Sequence, residues 1–174
     1  MYPNLVASLP RLQLGAPVPI SRDELARRLR ELLPEEDARE AATALEGRAE
    51  AMTTEAGRRW RDLDTQLRNS VARRRAQALD TPAAPHLRPH RGYRTDVDAA
   101  VEAAFAETDP LRRERSLDEL RWRLLGEIEA VDRWGLPAVL AYALRLRLAE
   151  RWAGFDTEAG WAALDGFLTE LATE

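Results

Sequence analysis

The chain has 174 residues, no Cys and a net charge of −4, and 45% of its residues are apolar. That length supports one compact domain or two small helical lobes with a core that needs no covalent staple. The composition excludes disulfide frameworks, thiolate zinc sites and Cys nucleophiles, and it excludes a disordered tail.

Residues 1–20 hold Pro3, Pro10, Pro17 and Pro19, which break any long helix. Leu5, Val6, Leu9, Leu12 and Leu14 are still apolar enough to pack. The pattern predicts one short helix or turn followed by an extended arm. Ser21-Arg22-Asp23-Glu24 fits a capping box, with Ser21 taking an orphan amide and Glu24 reaching back to the cap. Leu25, Leu29, Leu32 and Leu33 form the stripe of that helix. Pro34 ends it and starts the next, whose first turn carries Glu35, Glu36 and Asp37 where the macrodipole favours anions. Ala38, Ala41, Ala42 and Leu45 form a weaker stripe, and Gly47 is the C-terminal stop.

Thr53 or Thr54 caps the longest predicted helix, which runs to about Leu79. Trp60, Leu63, Leu67, Val71 and Ala72 make its stripe, and Arg occupies most of what remains. At the usual helical rise it is roughly 35 to 40 Å long, enough to span the molecule. Residues 80–94 then read as a linker, because Pro82, Pro85 and Pro89 favour an extended, semi-rigid connection. The chain accordingly divides into an N-terminal half (1–79), the linker (80–94) and a C-terminal half (95–174), with a single compact domain left open.

Thr95 and Asp96 restart helix, with Val97, Val101, Ala104 and Phe105 as its stripe. Asp109-Pro110 is a cap followed by a first-turn proline. The next helix is expected to reach Trp134, with Leu117, Leu120, Leu124, Ile128 and Val131 at three-four spacing. Gly135 ends it, and Pro137 lies in the first turn of an apolar helix carrying Leu136, Val139, Leu140, Ala143, Leu144, Leu148 and Trp152, which is expected to be central. Asp156 caps a last helix with Trp161, Leu164, Phe167, Leu168 and Leu171. No period-two alternation marks a strand. The expected fold class is all-α: an elongated antiparallel helix bundle of two lobes joined by the Pro-rich linker.

Every basic residue is Arg, 26 in all. Residues 58–94 hold ten Arg against three Asp, a net of +7, whereas residues 95–174 hold nine Arg against seventeen acids, a net of −8. This asymmetry points to internal docking of basic on acidic elements, or to a basic patch for an acidic partner. No apolar run reaches the roughly 20 residues that span a bilayer, and the N-terminus lacks the basic region of a signal peptide. The sequence is therefore read as cytoplasmic.

Few residues offer chemistry. His86 and His90 are four apart but lie among prolines, with no acid or Cys nearby to complete a metal set. Asp118 and Glu119, or Glu127 and Glu129, do not face one another on a helix. No serine sits in a nucleophile motif, and no cofactor is implied. Arg68 and Arg73, Arg74 and Arg75 form either a solvated face paired with the acidic half or a docking surface. The five Trp, at 60, 122, 134, 152 and 161, divide between core and interface roles.

Tyr2-Pro3-Asn4-Leu5-Val6-Ala7-Ser8-Leu9-Pro10, followed by Pro19-Ile20-Ser21, resembles a family of uncharacterised bacterial proteins encoded beside V-type ATPase genes. That family is treated as related to the C-type subunit of the V/A-type ATPases (the d-type subunit in eukaryotes). Arg59-Trp60 and Leu67-Arg68-Asn69 fit the same pattern. The stretch from Trp134-Gly135-Leu136-Pro137 through Leu140-Ala141-Tyr142-Ala143-Leu144 to Leu146 is similar to a phrase that opens a helix in the C-type subunit. The resemblance implies an all-helical, funnel-like protein that catalyses nothing, sits on the membrane rotor ring and receives the central stalk. It would transmit torque in proton or sodium transport, peripheral to the inner membrane through the complex. Its partners would be other V/A-type ATPase subunits, with Arg68, Arg73, Arg74, Arg75, Tyr142 and Trp152 as protein-interaction residues. Two other readings stay open: a helical adaptor binding nucleic acid or a regulatory protein through the Arg-rich helix, and self-association through the face from Leu136 to Trp152.

Overall fold

A computed structural model describes residues 1–154. Among them are seven α-helices and no strand: α1 (Pro3–Ser8), α2 (Arg22–Leu32), α3 (Glu35–Glu46), α4 (Glu55–Ala78), α5 (Thr95–Ala106), α6 (Pro110–Glu129) and α7 (Leu136–Ala153). The all-helical expectation holds for these residues. The helix expected after Asp156 lies outside the described residues.

Local chemistry sets most boundaries. The Ser21 hydroxyl accepts the Glu24 amide at 3.2 Å and the Thr54 hydroxyl accepts the Gly57 amide at 3.1 Å. Asp109 accepts the Leu111 amide at 2.8 Å, with Pro110 in the first turn of α6. The return half of the Ser21 capping box is not made. The Glu24 carboxylate is taken by Arg27 and Arg28, at 2.8 and 2.7 Å, because guanidinium donors are stronger partners than an amide. Gly47 closes α3 with φ +77°, and a side chain there would run into the Arg147 guanidinium. A second correction concerns α6, which ends at Glu129 rather than Trp134. Asp132 accepts the Trp134 amide at 3.0 Å, so an Asx-type turn competes with further helix. Val131 is left 60% exposed and Trp134 46% exposed.

Charge pairs report how the helices run. Asp64 of α4 meets Arg121 of α6, and Arg75 meets Glu114, so these helices are antiparallel. Asp118 of α6 meets Arg151 of α7, and Glu129 meets Arg145, again antiparallel. The pair α4 and α5 departs from the antiparallel expectation: Ser70 meets Asp98 and Arg74 meets Glu102, so their residue numbers rise together. The cause is the course of residues 80–94, which run back along α4.

Two amide side chains hold that return. Asn69 donates to the Arg88 carbonyl at 2.7 Å and accepts the Arg88 amide at 2.9 Å. One turn earlier, Gln66 donates to the Arg94 carbonyl at 2.7 Å and accepts the Arg94 amide at 3.0 Å. Each side chain supplies one donor and one acceptor, so it mimics a paired backbone unit. The Pro-rich stretch contains a short 3₁₀ turn (Ala84–His86).

Buried side chains on both sides of residues 80–94 join one hydrophobic cluster. Trp60 and Leu67 of α4, Val97 and Val101 of α5, Leu124 and Ile128 of α6, and Leu140 and Leu146 of α7 all belong to it. Helix α7 packs on α3, α4 and α6, which gives it the central place its sequence predicts. The arm after α1 lies on this body as a strap. Tyr142 donates to the Pro10 carbonyl at 2.8 Å, and Arg115 donates to the Leu14 carbonyl at 2.8 Å. Gly15, at φ +82°, passes so close that a Cβ would sit 2.7 Å from the Arg115 guanidinium.

Candidate functional site

The stripe that buries α4 contains an acid. Asp64 falls between Trp60, Leu67 and Val71 and is 5% exposed. On α6, Asp118 lies among Leu117, Leu120 and Leu125 and is fully buried. Both face the Arg121 side chain, whose guanidinium reaches Asp64 at 3.1 Å and Asp118 at 2.8 Å. Burial opposes the charge on Arg121, and the two carboxylates outweigh it, so its pKa is raised. A buried charge pair is tolerable when its remaining valences are satisfied, and here they are. Arg68 forms an ion pair with the second oxygen of Asp64 at 2.7 Å. Arg151 and the Trp152 indole donate to the second oxygen of Asp118, at 3.1 and 2.9 Å.

The chain of contacts continues outward. Arg151 also meets Glu114 at 3.1 Å, and Glu114 meets Arg75 at 3.4 Å. The order Arg68, Asp64, Arg121, Asp118, Arg151, Glu114, Arg75 alternates in sign through four Arg and three acids, a net of +1. It leaves α4 at Arg68, crosses α6 and α7, and returns to α4 at Arg75, two helical turns further on. Within this arc lies a cleft of about 440 Å³ whose apolar lining includes Val71, Ala72, Ala76, Leu79 and Leu117. Arg68 and Arg75, the ends of the arc, are its most exposed members. His86 lines the far side of the cleft. Among the described residues, no group of three His, Cys, Asp or Glu is placed to hold a metal.

The six residues expected from the sequence to make protein contacts fall in three places. Arg68 and Arg75 line the cleft. Arg73 and Arg74 line a separate groove against α5, where Arg74 pairs with Glu102 at 2.7 Å. Consecutive residues on a helix point about 100° apart, so the run of three Arg is not one patch. Tyr142 is half-buried under the strap, and burial pushes its hydroxyl up to about 12. Trp152 lies beneath the Arg115 guanidinium, 5.0 Å from its ring, with its indole on Asp118. Of the other Trp, Trp60 is core, Trp122 is half-buried against Arg145, and Trp161 lies outside the described residues.

Sequence reasoning passed over Asp64, Arg121 and Glu114. The available signal was an acid inside an apolar stripe: Asp64 is four residues from Trp60 and three from Leu67, so it shares their face. Asp118 and Glu119 divide as helical geometry requires, one buried and one exposed.

A family model described as a protein of unknown function (DUF2764) matches residues 99–171. The match covers most of α5, all of α6 and α7, and residues beyond them, so Glu114, Asp118, Arg121 and Arg151 fall inside it and Asp64, Arg68 and Arg75 outside. No curated protein and no solved structure matches the chain. On the comparisons, this chain is similar over residues 99–171 to a family whose function is not known.

Proposed function

We propose that this chain is a non-catalytic, protein-binding component of a bacterial V/A-type ATPase or ATP synthase. In that reading it joins the central stalk or rotor and contributes to assembly and torque coupling. The resemblance of the N-terminal phrase and of the Trp134–Leu146 stretch to relatives of the C-type subunit supports the assembly. The observation that carries the binding role is the cleft between α4 and α6, with apolar walls and an arc of charge ending in an Arg at each side. An apolar centre with a charged rim is the usual anatomy of a protein-binding surface. A part that passes on torque also needs stiffness, and α4 is tied on two sides, by the ionic arc and by the amide clamps.

Affinity purification of the tagged full chain from its native host tests the reading. Catalytic and stalk components of the ATPase should come with it at fixed stoichiometry. Reversing Arg68 and Arg75 to Glu together should weaken that recovery in a strongly salt-dependent way. Purification of the intact ATPase without this chain would reject the assignment. Retention of RNA or DNA at physiological salt would move the reading to a nucleic-acid adaptor.

A further inference from the structure

We propose that a second cavity, bounded by α4, α7 and the end of α3, binds a phosphate monoester on Arg147 and Arg22. The ligand is a small molecule, and its binding is independent of the ATPase reading.

Three observations carry it. The first is a surplus of charge. The cavity, of about 500 Å³, shares Arg68, Arg121 and Arg151 with the cleft between α4 and α6 and adds Arg22 and Arg147. Against these five Arg stand three carboxylates, Asp64, Asp118 and Glu150, a net of +2. All three are already engaged: Asp64 by Arg68 and Arg121, Asp118 by Arg121 and Arg151, and Glu150 by Arg22. Arg147 makes no ion pair among the described residues.

The second is that Arg147 is half-buried and held in place. It donates from Nη1 to the Leu45 carbonyl at 3.1 Å, at the end of α3, and the missing side chain of Gly47 makes room for its guanidinium. That bond uses one of its five N–H groups. Burial and the nearby Arg22 charge both oppose its own charge and lower its pKa. A partly buried cation without a counter-ion is costly, and a bound anion supplies one.

The third is the set of unspent donors. Arg22 commits only Nε, to Glu150, and Arg121 commits Nε and Nη1, to Asp64 and Asp118. Guanidinium groups from α2, α6 and α7 therefore line one cavity with N–H groups to spare. A carboxylate brings one charge and two oxygens, enough for a single fork. A phosphate monoester brings nearly two charges and three terminal oxygens, which match the surplus and serve two forks at once. The cavity is larger than a bare phosphate, and Ala49, Leu144 and Leu148 give it an apolar wall for the rest of the ligand. Trp60 also lines it but is only 5% exposed, so no aromatic face is open for stacking a nucleobase.

Isothermal titration calorimetry of the full chain with phenyl phosphate, inorganic phosphate and benzoate is the test. Phenyl phosphate should bind, and more tightly than the other two, because each of them lacks part of what the cavity recognises. Arg147→Gln should weaken phenyl phosphate by about tenfold or more, the loss expected when a hydrogen bond to a charged group goes. Arg22→Gln alters an exposed side chain and should weaken it in the same direction, which keeps the test open if Arg147→Gln does not fold. Arg59→Gln, exposed and outside the cavity, should change nothing. Vesicles carrying phosphatidic acid separate the two sources of a phosphate monoester: competition with phenyl phosphate assigns the cavity to a lipid headgroup, and no competition assigns it to a free molecule. Absence of phenyl phosphate binding would overturn the proposal. So would binding that ignores both Arg147→Gln and Arg22→Gln, or benzoate binding as tightly as phenyl phosphate.

Discussion

Helix α4 is held in opposite ways on its two sides, and the contrast shows how one helix can be fixed by neutral groups on one face and by charge on another. Toward residues 80–94 it uses neutral amides. Gln66 and Asn69 each close a donor and an acceptor against backbone, and the Gln66 amide also donates to Asp98 at 3.3 Å. Toward α6 and α7 it uses charge, and the arc ends on Arg68 and Arg75 with guanidinium donors still facing outward. The neutral side fixes the path of the chain. The charged side holds the helices together and leaves a residual field at the surface.

The largest way to break the contrast is at the buried centre of the arc. Asp118→Ala removes the carboxylate that Arg121, Arg151 and the Trp152 indole share, and it should cost about 3–5 kcal/mol, the range for opening a buried ion pair from one side. Urea unfolding reads this directly. A loss under about 1 kcal/mol would mean that water reaches the site and screens it.

The neutral side should give a smaller but more local effect. Asn69→Ala frees both backbone groups of Arg88 at once, for an expected loss of about 1–3 kcal/mol. Amide hydrogen exchange at Arg88 should rise while exchange in α6 stays as it was. A uniform rise across the molecule would show that the clamp is a global support.

Glu40 stands between the two sides in kind, as a charged group served by neutral donors. Its carboxylate accepts the amides of Thr53 and Thr54 at 2.9 Å each, and both hydroxyls as well. Burial works against its charge, and these donors outweigh burial, so its pKa is lowered. A carboxylate with a folded pKa below its unfolded value stabilises the fold above the unfolded pKa and loses that contribution as pH falls through the folded one. Glu40→Gln should therefore cost about 1–2 kcal/mol at neutral pH. The gap between its melting curve and that of the unaltered chain should narrow as pH drops below about 4. A gap that is constant with pH would mean that charge plays no part.

The smallest effect belongs to the groove outside the arc. Arg74→Gln removes a partly exposed pair with Glu102 and should change stability by no more than about 0.5 kcal/mol. A change several times larger would extend the structural charge network to α5.

What could be read from the sequence follows the same divide between near and far. Ser21, Gly47, Thr54 and Asp109 act on groups a few residues away, so their roles were legible from neighbours alone. The stripe of Trp60, Leu63, Leu67 and Val71 was legible because burial repeats with the helix. The end of α6 was misplaced by five residues, because Asp132 turns the chain through its own side chain where the apolar spacing still continued to Val131 and Trp134. The clamps by Gln66 and Asn69 join residues 19 to 28 positions apart, and a polar side chain does not announce a distant backbone partner. The arc was hidden for that reason too. Arg73, Arg74 and Arg75 look like one cluster in the sequence, whereas Arg68 and Arg75, seven apart, are the two that share a cleft.

The strap carries a consequence for how the chain comes to be folded. Its seats are Arg115 and Tyr142, 101 and 132 positions downstream of the carbonyls they hold, and Arg22 just after it meets Glu150. During synthesis the strap therefore leaves the ribosome long before its landing places exist, and it must wait until they are made. At typical elongation speeds that wait is on the order of 10 s, during which Leu5, Leu12 and Ile20 have no core of their own to enter.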